Sequence, residues 1–96
     1  QLEKALGRLL ATKGRYSEAS DLLARASHKL ALDAELRYYL GLSLASLGKP
    51  DEARESWKIS APDREFGPPS VFEMAALEAR AGHGAPALAL VKQALD

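Results

Sequence analysis

The chain has 96 residues, 47% hydrophobic and 27% charged, and its 13 basic side chains balance its 13 acidic ones. These values are typical of one small globular domain with a core, and the balanced charge does not suggest binding to a phosphate backbone, which needs a concentrated basic stripe. The sequence has no cysteine, which excludes disulfides and thiolate sites, and no apolar run near the ~20 residues that cross a bilayer.

Apolar residues that recur with the period of an α-helix predict six helices and no strand. In chain order the predicted spans are about 1–12, 17–30, 33–47, 50–61, 70–81 and 85–96. Ser17 is expected to cap the second helix and Pro50 to open the fourth, because proline suits a first turn. Pro68 and Pro69 are expected to lie before the fifth helix, which a capping box beginning at Ser70 starts.

Three glycines are evenly spaced along the chain, and the fifth residue after each is an alanine. The glycines are Gly14, Gly48 and Gly82, and the alanines are Ala19, Ala53 and Ala87. A constant period of about 34 residues in a helical chain predicts helix–turn–helix units stacked on copies of themselves. Each glycine is expected to adopt a left-handed backbone conformation, which other residues adopt only at a cost.

Small residues within the units predict where two helices approach closely. Gly7 and Gly41, on the first helices, are expected to lie against the alanines of their partner helices, Ala19 and Ala53. Larger side chains fill the wider spaces between the helices, and Trp57 is the large apolar anchor expected in the second unit. The spacing therefore predicts close helical pairs that are held together by a few bulky groups.

These positions together resemble the tetratricopeptide repeat, a family whose pattern places small residues, a turn glycine and an alanine at fixed positions. In the first unit the matching residues are Gly7, Gly14, Tyr16, Ala19, Leu23 and Ala26. The matches in the second and third units are Gly41, Gly48, Ala53 and Trp57, with Ser60 replacing an alanine, and Ala75, Gly82, Ala87, Val91 and Ala94. Departures from the pattern include Pro50 and Gly84 at an aromatic position and Glu78 at an apolar one.

The resemblance implies an all-α fold, an α-solenoid of three hairpins with six antiparallel helices in a right-handed superhelical stack. It implies a single domain over residues 1–96, with repeats of about 1–33, 34–67 and 68–96. We expect this domain to be a piece of a longer protein. Its last predicted helix would leave an apolar strip that further repeats or a second copy of the chain would cover, namely Leu88, Val91 and Leu95.

First helices in the resembled family line a concave groove, so the resemblance implies a site there for a peptide or partner protein. By position, the candidate binding residues are Lys4, Arg8, Glu35, Tyr38, Tyr39, Leu42, Phe72 and Arg80. Lys4 and Arg8, one helical turn apart, either meet a carboxylate or form a solvated pair. Tyr38 and Phe72 form either a hydrophobic shelf for a partner or part of the core. The irregular connection before the fifth helix adds Phe66, as a binding element or as plain linker.

We expect a protein-interaction module whose protein or peptide partner the sequence does not identify. Catalysis, cofactors and metal are not expected, because no nucleophile–base set or ligand cluster can be assembled. The alternative is a structural or oligomerisation segment of a larger enzyme or secretion component, with no ligand of its own. A helical-repeat RNA binder is a further alternative that the neutral charge disfavours, and membrane partners are not expected. The compartment stays open, with the cytoplasm as the default.

Overall fold

The computed structural model describes residues 1–80, which fold into five α-helices and contain no strand. The helices are α1 (Leu2–Thr12), α2 (Tyr16–Ala26), α3 (Ala34–Ser46), α4 (Pro50–Ser60) and α5 (Gly67–Arg80). The sixth predicted helix, with its apolar strip, lies outside the described residues. None of the described helices has both the length and the apolar character that crossing a bilayer demands.

Two helix pairs, α1–α2 and α3–α4, form the complete hairpins of the described residues. Side-chain caps fix the starts of their first helices, α1 and α3. Gln1 caps α1, because its side-chain oxygen accepts a hydrogen bond from the Lys4 amide at 2.7 Å. Asp33 caps α3 in the same way and accepts from the Leu36 amide at 3.0 Å. Each cap satisfies one of the amides that a helix leaves unpaired in its first turn, which stabilises the helix by about 1 kcal/mol.

Glycine turns join the two helices of each complete hairpin. Gly14 has φ of 80° and Gly48 has φ of 78°, so both adopt the predicted left-handed conformation. The amide after each glycine donates to a carbonyl near the end of the first helix at 2.9 Å, from Arg15 to Leu10 and from Lys49 to Leu44. This bonding closes the end of the first helix and reverses the chain. The two turns are therefore the same structure, repeated one period later in the sequence.

The second helix starts and ends earlier than its sequence indicates. Ser17 is not its cap, because α2 begins at Tyr16 and its N-cap, Arg15, makes no side-chain cap bond. The Arg15 carbonyl already accepts from the Ala19 amide at 3.0 Å, so the glycine turn leads directly into the helix. The helix ends at Ala26, and non-helical turns occupy residues 27–29, where the sequence predicts helix.

The start predicted for the fifth helix is wrong. α5 begins at Gly67, so Pro68 and Pro69 lie in its first turn rather than before it. First-turn amides have no partner within the helix, and proline therefore loses nothing by lacking one. Ser70 is fully buried inside the helix and makes no capping box; its hydroxyl pairs with the Ser60 hydroxyl at 2.5 Å and joins α5 to α4.

Neighbouring helices pack around a core whose largest fully buried side chains include Trp57, Leu23 and Leu36. The Trp57 indole donates from Nε1 to the Tyr38 carbonyl at 3.2 Å, which fixes the ring between α3 and α4. α1 packs against α2 and α3, α3 against α4, and α5 against α4 and α3. This compact arrangement of neighbouring helices is compatible with a helical repeat.

The two helix glycines approach larger groups than predicted. A Cβ atom at Gly41 would meet the Trp57 ring, with Cε2 at 2.6 Å, and one at Gly7 would meet Leu23 Cγ at 2.7 Å. The nearest neighbours are therefore a tryptophan and a leucine rather than Ala19 and Ala53, which are nevertheless fully buried. Lack of a side chain on the first helix makes room for a bulky buried side chain on its partner.

Candidate partner-binding face

The predicted binding residues all lie on the first helices, α1, α3 and α5, and the structure divides them into separate groups. Lys4, Arg8 and Glu35 form an ion-pair cluster between α1 and α3. Tyr38 and Tyr39 form an aromatic group with Phe66. Two further candidates, Leu42 and Arg80, line a cleft between α3, the start of α4 and α5. Phe72 stands apart from all of these groups.

The ion-pair cluster joins the two complete hairpins through four charged side chains. Lys4 Nζ lies 2.8 Å from Asp33 Oδ2 and 3.1 Å from Glu35 Oε1. Arg8 Nη1 lies 3.2 Å from Glu35 Oε2. A shallow cleft of about 210 Å³ runs beside them. Lys4 and Arg8 therefore do meet carboxylates, but those of their own chain, and a carboxylate from a partner would have to compete with Asp33 and Glu35.

The same contacts displace two pKa values in opposite directions. The hydrogen bond to Asp33 raises the pKa of Lys4 above its ordinary value, and Glu35 adds to this against partial burial. Burial on its own would raise the pKa of Asp33, but hydrogen bonds from the Leu36 amide and from Lys4 outweigh it and lower that pKa. Both charged forms are therefore stabilised in the folded state.

The aromatic group lies where the connection after α4 meets α3. Ring centroids are 5.2 Å apart for Tyr38 and Tyr39 and 5.8 Å apart for Tyr38 and Phe66. Asp63 positions the connection, because its carboxylate accepts from the Phe66 amide at 2.8 Å. Burial, with a smaller contribution from the Glu73 charge, raises the pKa of Tyr38. The connection therefore packs against the fold and supplies part of this face.

Phe72 and Tyr38 occupy equivalent positions but have different surroundings. Phe72 is 50% exposed, and it takes part in none of the ring contacts found within residues 1–80. Tyr38 is half-buried and packs against the core. In the described part of the chain these two residues do not form a stacked shelf, so Phe72 is left as an isolated exposed aromatic on α5.

A cleft with a volume of about 880 Å³ lies between α3, the start of α4 and α5. We call it the α3–α5 cleft. Its apolar lining includes Leu42, Ala45 and Leu77, and charged side chains of both signs surround these residues. The charged and polar members are Ser46, Asp51, Arg54, Glu73, Glu78 and Arg80. The cleft therefore combines a small apolar floor with a larger number of polar and charged groups than most small-molecule sites have.

Arg54 and Glu78 hold one wall of the α3–α5 cleft in place. Arg54 Nη2 lies 3.1 Å from Glu78 Oε1, and Nη1 lies 3.1 Å from Asp51 Oδ1. The Nε nitrogen of Arg54 is buried and has no hydrogen-bond partner among the described residues. Sequence reasoning missed this pair. The available signal was Glu78 itself, an acid at a position where the repeat pattern places an apolar residue.

Comparison with known proteins adds no family or relative, because the chain matches no family model and no curated protein. Within residues 1–80, no group of three or more His, Cys, Asp or Glu side chains is arranged to hold a metal ion. The geometry of the first-helix face is therefore the basis for a functional proposal.

Proposed function

We propose that this chain is a protein-interaction module of the tetratricopeptide kind, which binds a peptide or partner protein through the face formed by its first helices. Three stacked hairpins, of which α1–α2 and α3–α4 are the first two, would form a right-handed solenoid. The recurrence of the same glycine turn at Gly14 and Gly48 supports this reading. So does the recurrence of a buried glycine on the first helix against a bulky side chain on the second.

The α3–α5 cleft is the observation that carries the proposal. Its volume of about 880 Å³ lies within the ~300–1,000 Å³ range of known ligand sites. Leu42 and Leu77 would receive an apolar side chain of the peptide, and hydrophobic burial would supply most of the affinity. Glu73 and Arg80, on α5, carry opposite charges and would orient the peptide rather than hold it.

Arg54 gives the cleft a specific means of recognising a peptide backbone. A buried N–H without an acceptor destabilises a protein by about 1–3 kcal/mol. The Arg54 Nε donor is in this situation within the described residues, while both of its terminal nitrogens pair with carboxylates. A carbonyl of a bound peptide would supply the acceptor once the Arg54 side chain rotates to expose Nε, which is buried in the chain alone. Binding would then be stabilised by a hydrogen bond that the chain alone, within the described residues, does not make.

Selection of peptides from a random displayed library, with the intact chain as the target, tests the proposal. The strongest selected peptide is labelled, and its affinity is measured by fluorescence anisotropy for the wild type and two double variants. Glu73→Lys with Arg80→Glu reverses two charges of the cleft, and we expect at least a ~10-fold loss of affinity. Lys29→Glu with Glu52→Lys is the control, because both residues are exposed and neither lines the α3–α5 cleft.

The control variant is expected to bind as the wild type does. Failure to select any peptide would count against the interaction module and favour the structural segment without a ligand. Equal binding by both double variants would show that the peptide uses another surface. Circular dichroism of each variant, unchanged from the wild type, establishes that a loss of affinity does not come from unfolding.

A further inference from the structure

The charged side chains of the α3–α5 cleft differ in whether they are already paired. Arg54 lies 3.1 Å from Asp51 and 3.1 Å from Glu78, so these three charges are engaged with one another. Glu73 and Arg80 also line the cleft, yet neither makes an ion pair in the described part of the chain. Among the described residues, these two opposite charges are therefore the ones that a bound molecule can pair with.

Glu73 and Arg80 lie on one face of α5, with Leu77 between them. Leu77 comes four residues after Glu73 and three before Arg80, so the three positions follow one line along the helix. A rise of about 1.5 Å per residue places the two charged positions about 10 Å apart along the helix axis. Leu42, from α3, also lines the cleft. The cleft thus presents an acid, an apolar centre and a base in a fixed order.

The two charged positions differ in their exposure to water. Glu73 is half-buried and lies near Tyr38, whose pKa is raised by burial and, to a smaller extent, by the Glu73 charge. Arg80 is exposed, in the last turn of α5. Water and salt screen an exposed charge more than a half-buried one. Glu73 is therefore expected to contribute more to the recognition of charge than Arg80.

We propose that the α3–α5 cleft selects peptides in which one apolar residue lies between a basic residue and an acidic residue. This inference rests on the proposed function and names the class of peptide that the cleft would bind. The base would lie against Glu73, the apolar side chain between Leu42 and Leu77, and the acid against Arg80. Charge complementarity between the peptide and the two unpaired side chains defines this partner.

An extended peptide has a spacing that suits this arrangement. Its residues i, i+2 and i+4 lie on one face, and about 13 Å separates the first from the last. That span is close to the separation of the two charged positions on α5, and the long side chain of lysine or arginine covers the remaining difference. The expected pattern is therefore a central apolar residue with one base and one acid, each two positions away from it.

A peptide library with a fixed leucine tests the proposal on the intact chain. The residues two positions before and two after the leucine are randomised among lysine, glutamate and glutamine, and all others are alanine or serine. The wild type is expected to enrich peptides with one lysine and one glutamate. Glu73→Lys should instead enrich two glutamates, and Arg80→Glu two lysines, which are patterns that no change of chain direction supplies. Glu73→Gln should remove the preference for one lysine.

Fluorescence anisotropy then measures the affinity of individual labelled peptides for each protein. We expect a matched peptide to bind about five-fold more tightly than a peptide with one charge reversed. The difference should be larger for the charge that meets Glu73 than for the one that meets Arg80, and it should shrink as the salt concentration rises. Lys29→Glu is the control and should select the wild-type pattern, because Lys29 is exposed and does not line the cleft.

The outcomes separate this inference from the proposed function. Peptides that bind the wild type without any charge pattern, or one pattern that all the variants select, would overturn the inference and keep the interaction module. Binding of no peptide by the wild type would overturn both. Dimers that light scattering detects at rising concentration in that case would assign the cleft to a second copy of the chain.

Discussion

The two complete hairpins, α1–α2 and α3–α4, have the same backbone turn. They differ in the side chains that pack between their helices and in the helices that lie beside them. Their glycine turns have φ values of 80° and 78°, and each has a buried glycine on its first helix. That glycine faces Leu23 in one hairpin and Trp57 in the other. α3 has α1, α2, α4 and α5 beside it, whereas α1 has only α2 and α3 among the described helices. The number of neighbouring helices, rather than the period in the sequence, therefore decides how much each residue contributes to stability.

Equivalent leucines should show the largest difference between the hairpins. Leu40 is 5% exposed and Leu6 is 43% exposed, although they occupy the same position in the repeat. Leu40→Glu would bury a charge without a partner, and we expect it to lower the free energy of unfolding by about 4 kcal/mol or more. Leu6→Glu should lower it by about 1 kcal/mol or less, because the new charge reaches water. Urea unfolding followed by circular dichroism measures both, and similar losses would contradict the comparison.

Glycine-to-alanine changes on the first helices should give the next largest difference. At Gly41 the added methyl group would overlap the Trp57 ring, which is rigid and tied to α3 by its N–H bond. We expect a loss of about 2–3 kcal/mol for Gly41→Ala, as for other overpacked cores. Gly7→Ala should cost about 1 kcal/mol, because Leu23 can shift to another rotamer and alanine favours the helix. Thermal unfolding of the two variants tests this order, and a greater loss for Gly7→Ala would contradict it.

The two glycine turns, in contrast, should lose equal stability when their glycine is replaced by alanine. Apart from the glycine itself and its two chain neighbours, no atom of the described residues lies within 4 Å of a Cβ built at Gly14 or Gly48, so alanine would meet no obstacle from the rest of residues 1–80. The cost of alanine there comes only from the left-handed backbone and is about 1–2 kcal/mol. We expect Gly14→Ala and Gly48→Ala to shift the urea midpoint by the same amount within error. Unequal shifts would show that the turns are not copies of one structure.

The ion-pair cluster between the hairpins should contribute least to the free energy of unfolding, and its contribution should depend on pH. Asp33→Asn keeps the α3 cap but removes the charge that faces Lys4, and we expect a loss of about 0.5–1 kcal/mol at pH 7. The folded-state pKa of Asp33 is lowered, so its contribution is present above the ordinary value of 3.8 and is lost as the pH falls through the lowered pKa. Unfolding of wild type and variant at pH 7, 5 and 3 should therefore show the difference shrinking towards acid pH.

Lys4 gives the matching test on the alkaline side. The folded-state pKa of Lys4 is raised, so its contribution is fully present below the ordinary value of 10.5 and is lost as the pH rises through the raised pKa. Lys4→Met should therefore cost less than about 1 kcal/mol near pH 7 and nothing measurable once both states are deprotonated. A loss that stays constant at alkaline pH would show that Lys4 acts by packing rather than by charge.

Local signals in the sequence predicted the features that depend on local chemistry. The left-handed turns at Gly14 and Gly48 follow from the conformational freedom of glycine, and Asp33 was recognisable as the start of α3. The anchoring role of Trp57 was also predicted, and the residue is fully buried. The start of α5 was missed because consecutive prolines interrupt a helix interior but fit a first turn, and which of the two applies depends on the preceding residues.

Contacts between distant residues were beyond local signals. Lys4 and Arg8 were recognised as a basic pair, yet their carboxylates lie in the next hairpin, far away in sequence. Arg54 and Glu78 likewise come from different helices, and only the packing of α5 against α4 brings them together. The repeat pattern predicts which residues share a face, but it does not predict which charges on that face pair with each other.

A crystal structure of the chain with a selected peptide would test the central claim most directly. We predict that the peptide lies in the α3–α5 cleft, with an apolar side chain against Leu42 and Leu77 and a carbonyl oxygen within hydrogen-bond distance of Arg54 Nε. A peptide bound elsewhere, with the cleft empty and Arg54 Nε still without an acceptor, would contradict this prediction.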